Sequence, residues 1–171
     1  MAFDDKSPVS ARRLPPGTRI AAVVSEYHRD LTGGMLRSAQ SELEGAGLEE
    51  GALEVAWVPG AFELPIVAQR FAIRPDIDAV LCFGLVLTGE TTHDRWVCQA
   101  ATEGILRVSL ETQTPVLFGV LTCLTMKQAI ERALPSSEGG HHDKGREVAR
   151  AARGVLEALE VAKGQVQEKR V

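Results

Sequence analysis

The sequence is poor in aromatic residues, in cysteine and in positive charge. Only eight of its 171 residues are aromatic (five Phe, two Trp and one Tyr), so aliphatic side chains must fill the core. The three cysteines, Cys82, Cys98 and Cys123, are an odd count in apolar surroundings. That excludes a disulfide framework and predicts reduced core thiols in a cytoplasmic protein. Nineteen basic residues face 23 acidic ones, for a formal net charge of −4. A nucleic-acid partner requires a basic face, so that class is excluded, although a local cationic pocket is not. The longest uncharged run, Thr112 to Met126, is too short for a bilayer and contains Pro115, so no membrane segment is expected. The first 18 residues hold Asp4, Asp5, Lys6, Arg12 and Arg13 without an apolar stretch, and no signal peptide is expected. GxGxxG after the first strand, the Walker-type GxxxxGKS/T, GxSxG and CxxC are all missing, which argues against nicotinamide and nucleoside-triphosphate enzymes.

What is present is an alternation of buried runs and amphipathic stretches. Ile20–Val24 reads as a strand buried on both faces, Leu53–Val58 as a second strand, Ala79–Leu87 as the most apolar strand and Pro115–Leu121 as another buried one. Between them, Leu36, Ala39, Leu43 and Ala46 recur at helical spacing, and a short helix is predicted from Ala61 to about Phe71 with Pro65 in its first turn. Val97, Ala101, Ile105 and Val108 mark a long helix, Thr125–Ala133 a short one, and Val148, Ala151, Val155 and Leu159 a last helix starting near Gly145. Buried strands that alternate with helices, without hairpin signals, predict parallel βαβ units. The expected fold is α/β, a three-layer α/β/α sandwich of flavodoxin-like type on a four-stranded parallel sheet. The expected organisation is an extended segment over 1–18, one domain over 19–162 and a charged tail over 163–171.

Ligands of such sheets bind beyond the carboxyl ends of the strands, which directs attention to the loops. Thr88-Gly89-Glu90-Thr91-Thr92-His93 joins a buried strand to a long helix. Free N–H groups and the positive dipole end make that junction an anion site, and His93 supplies an imidazole, a side chain suited to proton exchange. The same residues also serve as a helix cap, and Glu90 and Asp94 repel an anion unless cations compensate. Ala61-Phe62-Glu63 opens another helix, with an apolar ring and a hydrogen-bonding carboxylate. Tyr27, the only tyrosine, is placed to stack on a planar ring. Arg132 and Lys144 are candidate phosphate-side cations. His141-His142-Asp143 lacks ligand-like spacing, so no metal is expected.

Together these segments resemble the 6,7-dimethyl-8-ribityllumazine synthase family of riboflavin biosynthesis. The residues that carry the likeness are Val24-Ser25 with Tyr27, WVPGAFELP (Trp57–Pro65), GLVLTGETTH (Gly84–His93), PVLFGVLT (Pro115–Thr122), QAIERA (Gln128–Ala133) and DKG (Asp143–Gly145). The resemblance implies condensation of 5-amino-6-(D-ribitylamino)uracil with 3,4-dihydroxy-2-butanone 4-phosphate, with no metal or organic cofactor. It implies that Tyr27 stacks on the pyrimidine, that Ala61, Phe62 and Glu63 hold the ribityl chain, and that the backbone of Leu85, Val86 and Leu87 reads the pyrimidine edge. Glu90 and Thr91 then lie in the phosphate loop, His93 transfers protons, Phe118 is a second ring contact, Arg132 binds phosphate and Lys144 approaches the uracil.

The resemblance further implies a homopentamer whose sites lie at subunit interfaces. One chain contributes Tyr27, Phe62 and His93, and its neighbour Phe118, Arg132 and Lys144. The long loop from Leu134 to Asp143 predicts an isolated pentamer, or two paired into a decamer, in place of an icosahedral shell. The sequence departs from the usual pattern at His28 (commonly Asn), at Thr88 (commonly Arg), at Asp94 (commonly aromatic) and at Leu134 (commonly Gly). Arg95 is expected to restore part of the charge lost at Thr88. The alternatives are a module that holds lumazine or flavin without turnover, and a purely structural scaffold.

Overall fold

The structure, a computed structural model, describes residues 13–168; the expectations for 1–12 and 169–171 lie outside the described residues. Four strands, β1 (Ile20–Ser25), β2 (Leu53–Val58), β3 (Ala79–Leu87) and β4 (Val116–Cys123), alternate with helices α1 (Arg29–Gly45), α2 (Leu64–Ala72), α3 (His93–Thr112), α4 (Met126–Ala133) and α5 (Lys144–Glu168). All strand pairs are parallel, in the order β2-β1-β3-β4. This is the flavodoxin-like α/β/α sandwich that the alternation predicts.

Period-two alternation divides the core between the two faces of the sheet. Ile20, Ala22, Val24, Leu81 and Phe83 pack with α1, α4 and α5, while Ala21, Val23, Val80 and Cys82 pack with α2 and α3. Two glycines set the helix spacing. A Cβ on Gly104 of α3 would lie 2.6 Å from the Pro65 ring of α2, and one on Gly145 of α5 would lie 2.0 Å from the Met35 carbonyl oxygen of α1. Any side chain there would force the helices apart.

The differences from the sequence reading are local. A 3-10 turn, Ala61–Glu63, precedes α2, so Pro65 falls in the first turn of a helix that begins at Leu64. α3 starts at His93 itself, β4 continues to Cys123, and α5 runs past Lys163 to Glu168. Cys82 and Cys123 are buried free thiols, whereas Cys98 is only half-buried, because it flanks the inward stripe of α3.

Arg150 and Arg153 are both buried, Arg153 to 4% exposure, although charged side chains ordinarily face solvent. Glu42 of α1 receives them: the Arg150 Nε lies 3.1 Å and the Arg153 Nη2 2.9 Å from its Oε1.

Candidate active site

The strand order reverses between β1 and β3, and this creates a crevice at their carboxyl ends. β3 outruns β1: their ladder ends at Val24 opposite Phe83, while β3 pairs with β4 through Leu87 opposite Cys123. In a parallel ladder both polar groups of a residue point to one side, and successive residues alternate. The Val80 N–H donates to Pro115 and the Thr88 N–H to Cys123, each at 2.9 Å, so the even-numbered residues serve β4. Leu85 and Leu87 therefore turn their N–H and C=O toward the gap left by β1. Val86 differs from expectation, because its peptide faces Thr122 on β4. The gap is a short unpaired edge able to read a planar, hydrogen-bonding ring.

Tyr27 and Phe62 stand beside this gap, at 69% and 60% exposure, after β1 and β2 respectively. The Tyr27 backbone is held to the end of β2, with its N–H donating to the Pro59 carbonyl at 3.3 Å. Beside it, the Arg29 guanidinium lies 4.2 Å from the Trp57 ring and pairs with Glu26 at 3.0 Å. Ala61 is buried under the turn. Glu63 is partly a cap: its Oε2 accepts the Gly60 N–H at 2.9 Å, which orients the carboxylate and leaves Oε1 for a ligand hydroxyl.

Glu90, Thr91 and His93 are exposed at the mouth of the same crevice. Thr92 precedes α3 without a side-chain hydrogen bond to the first turn. The His93 and Asp94 N–H groups that lead this helix are thus open to an anion, and their partial positive charge favours one, whereas the Arg95 N–H donates to the Thr92 carbonyl at 3.1 Å. Arg95 does not share this mouth with His93. Residues two apart on a helix point about 200° from each other, and the His93 flank is the one that meets α2 through Gly104 and Pro65. The charge expected to replace that missing at Thr88 is therefore aimed away from His93.

Phe118, Arg132 and Lys144 form a separate group. Phe118 lies midway along the edge strand β4, opposite Cys82, at 39% exposure. Arg132, in the last turn of α4, donates from Nη1 to the Gln128 carbonyl at 3.3 Å. Burial pushes the Cys123 thiol pKa up, and the Arg132 charge partly opposes that rise, which puts the guanidinium near the end of β4. Gln128 and Thr125 cap α4 reciprocally: the Gln128 N–H donates to the Thr125 Oγ1, and the Leu124 N–H to the Gln128 Oε1.

Lys144 opens α5 and pairs with Glu147 at 2.9 Å. Its neighbours in Asp-Lys-Gly have distinct structural tasks. Asp143, with φ 44°, accepts the Ser38 hydroxyl and the Arg146 N–H, and Gly145 permits contact with the Met35 carbonyl. Asp143 is thus a helix cap. Among the described residues, no three His, Cys, Asp or Glu side chains are grouped to hold a metal ion.

No hydrogen bond, ion pair or ring contact among the described residues joins Phe118, Arg132 or Lys144 to Tyr27, Phe62 or His93. Within one chain the two groups are thus not joined by any such direct contact. Sequence reasoning named the backbone of Leu85, Val86 and Leu87 through the resemblance but missed which of their polar groups are free, because that depends on where β1 stops. It also missed Trp96, 67% exposed on the outer face of α3, whose position in the helical repeat could have identified it. Compared with known protein families, residues 17–160 match the model of 6,7-dimethyl-8-ribityllumazine synthase.

Proposed function

The chain belongs to the 6,7-dimethyl-8-ribityllumazine synthase family, enzymes of riboflavin biosynthesis, and from that premise we propose the reaction and the residues that perform it. The protein condenses 5-amino-6-(D-ribitylamino)uracil with 3,4-dihydroxy-2-butanone 4-phosphate to give 6,7-dimethyl-8-ribityllumazine, phosphate and water. The observation that carries this reading is the unpaired edge at Leu85 and Leu87, flanked by exposed Tyr27 and Phe62 and closed by the uncapped start of α3. A planar ring with alternating donors and acceptors fits the edge, an aromatic face fits Tyr27, and a phosphate fits the helix N-terminus.

Each chemical step moves a proton. The aryl amine attacks the ketone, water leaves as a Schiff base forms, phosphate is eliminated, and the second amine closes the ring with loss of another water. His93, exposed at the crevice mouth, relays those protons. The His93 and Asp94 N–H groups at the start of α3, with Glu90 and Thr91, form the phosphate loop. Arg132 offsets the negative charge that Glu90 and Asp94 would otherwise oppose. Glu63, already oriented by Gly60, accepts from the ribityl hydroxyls alongside Ala61 and Phe62. Much of the acceleration comes from holding two reactive molecules in register, which asks little of covalent catalysis.

The lack of any direct contact from Phe118, Arg132 or Lys144 to Tyr27, Phe62 or His93 supports a shared site. Two unlike half-sites on one chain suit head-to-tail contacts, which close into a ring when the rotation permits. The assembly we propose is a homopentamer in which each neighbour supplies Phe118, Arg132 and Lys144. The Leu134–Asp143 loop is anchored: the Gly140 N–H donates to the Pro135 carbonyl, and His141 and His142 both donate to the Glu131 carbonyl. The length of this loop is what favours an isolated pentamer or paired pentamers, and a shell-sized particle in light scattering would overturn it. The functional test follows lumazine fluorescence and phosphate release with both substrates. Equal formation of the two products is expected, and binding without turnover would refute the enzyme.

A further inference from the structure

Among the described residues, His28 is one of three non-glycine residues in the left-handed region, at φ 59° and ψ 46°. The backbone needs that conformation because the His28 carbonyl starts α1, accepting the N–H groups of Leu31 at 2.9 Å and Thr32 at 3.1 Å. Glycine or asparagine would meet this requirement as well or better, since both adopt the conformation at low cost. Neither would bring a ring. The imidazole of His28 is half-buried and stands edge-to-face with Tyr27, with centroids 5.0 Å apart and planes at 85°.

Tyr27 has no other aromatic contact among the described residues. Its backbone is fastened to the end of β2, yet its ring projects from the loop into solvent. A ring so placed moves among rotamers unless a neighbour restrains it, and a mobile platform loses that freedom when a ligand stacks on it. The chain therefore uses one residue for two tasks: the backbone turn that launches α1 and a lateral brace for the adjacent ring.

We infer that His28 is a positioning residue that pre-orients the Tyr27 ring for stacking on the planar ring of the ligand, an inference that rests on the lumazine synthase reading of the crevice. Edge-to-face aromatic pairs and the ordering of one side chain each correspond to roughly a two- to tenfold change in an equilibrium constant. His28 acts through Tyr27, so its effect disappears when Tyr27 is absent.

The test is a double-mutant cycle with 6,7-dimethyl-8-ribityllumazine as the probe, its affinity read by fluorescence titration. His28→Asn keeps the left-handed turn and removes the ring. It should weaken binding by roughly two- to tenfold while leaving Tm unchanged. In a Tyr27→Ala background, His28→Asn should have no further effect. Because Tyr27 is the only tyrosine, its ring order parameter can be read by NMR without a ligand, and it should fall in His28→Asn. Wild-type affinity in His28→Asn, the same weakening with and without Tyr27, or an unchanged ring order parameter would each overturn the inference alone. Wild-type protein that does not bind the lumazine would overturn the reading of the crevice and the inference together.

Discussion

Replacing Gly145 with alanine tests the α1–α5 contact that places Lys144. The added Cβ would sit 2.0 Å from the Met35 carbonyl oxygen, 2.8 Å from its carbonyl carbon and 2.9 Å from its Cα. Non-bonded heavy atoms rest at about 3.5 Å, so the helices must separate by on the order of 1 Å. The obstacle is backbone inside a hydrogen-bonded helix and cannot rotate away as a side-chain tip would. The same displacement strains the Ser38–Asp143 hydrogen bond and the Glu42 pairs with Arg150 and Arg153. Overpacking costs about 1–3 kcal/mol, and a backbone target puts Gly145→Ala near ~3 kcal/mol. For a chain of this size that is a fall in Tm of about 6–12 °C.

The control is the same substitution on the same helix. A Cβ at Gly164 meets nothing within 4 Å, so Gly164→Ala gains about 0.5–1 kcal/mol of helix propensity and should raise Tm by roughly 1–4 °C. Circular-dichroism melts at matched protein concentration read both. If Gly145→Ala melts with the wild type, or if both substitutions shift Tm in the same direction, the steric argument is wrong.

The remaining predictions concern the site and the amino end of the sheet. His93→Ala should lower kcat by roughly 10²-fold and leave residual turnover; complete loss from a folded protein would contradict catalysis dominated by positioning. Arg132→Ala should raise KM for the phosphate-bearing substrate about tenfold with little change for the uracil substrate, and steady-state kinetics with each substrate varied would expose the reverse. Arg74 hydrogen-bonds Glu54 and Asp76 and holds both carboxyls below their usual pKa, with Arg19 contributing to each. A depressed folded-state pKa stabilises above the ordinary carboxylate range, and the effect is lost as pH falls through the depressed values. The Tm advantage of wild type over Arg74→Met should therefore be present at about pH 7 and shrink toward about pH 3. Solvent screening keeps the gap small, and a gap that widens on acidification would refute the pairing.

Much of the fold was legible because its signals are local. Ala79–Leu87 is a continuous apolar run and Leu53–Val58 an apolar stretch broken only by Glu54; they end at Gly89 and Pro59-Gly60, and the structure places β3 and β2 on those same residues. Thr125 and Gln128 announce α4 through capping chemistry confined to four successive positions. The loops after the strands were legible as site candidates because a parallel sheet brings every strand's carboxyl end to one side. Proximity in sequence does not bring Arg95 beside His93, because a helix turns its second neighbour to the opposite flank.

By itself, then, the sequence determined the class of fold, the positions of its elements, the loops that carry the crevice and the family to which the chain belongs. Only the tertiary structure decided which polar groups remain free. Leu85 and Leu87 are open and Val86 is occupied because β1 stops at Ser25 while β4 continues to Cys123. Only it could show Arg150 and Arg153 buried, since their partner Glu42 lies 108 and 111 residues away, and charge alone predicts exposure. Gly145 likewise looks like any helix-start glycine until Met35 arrives across the α1–α5 contact. Hydrophobic period and capping are properties of neighbouring residues, whereas pairing, close approach and burial of charge are properties of residues that meet only when the chain folds.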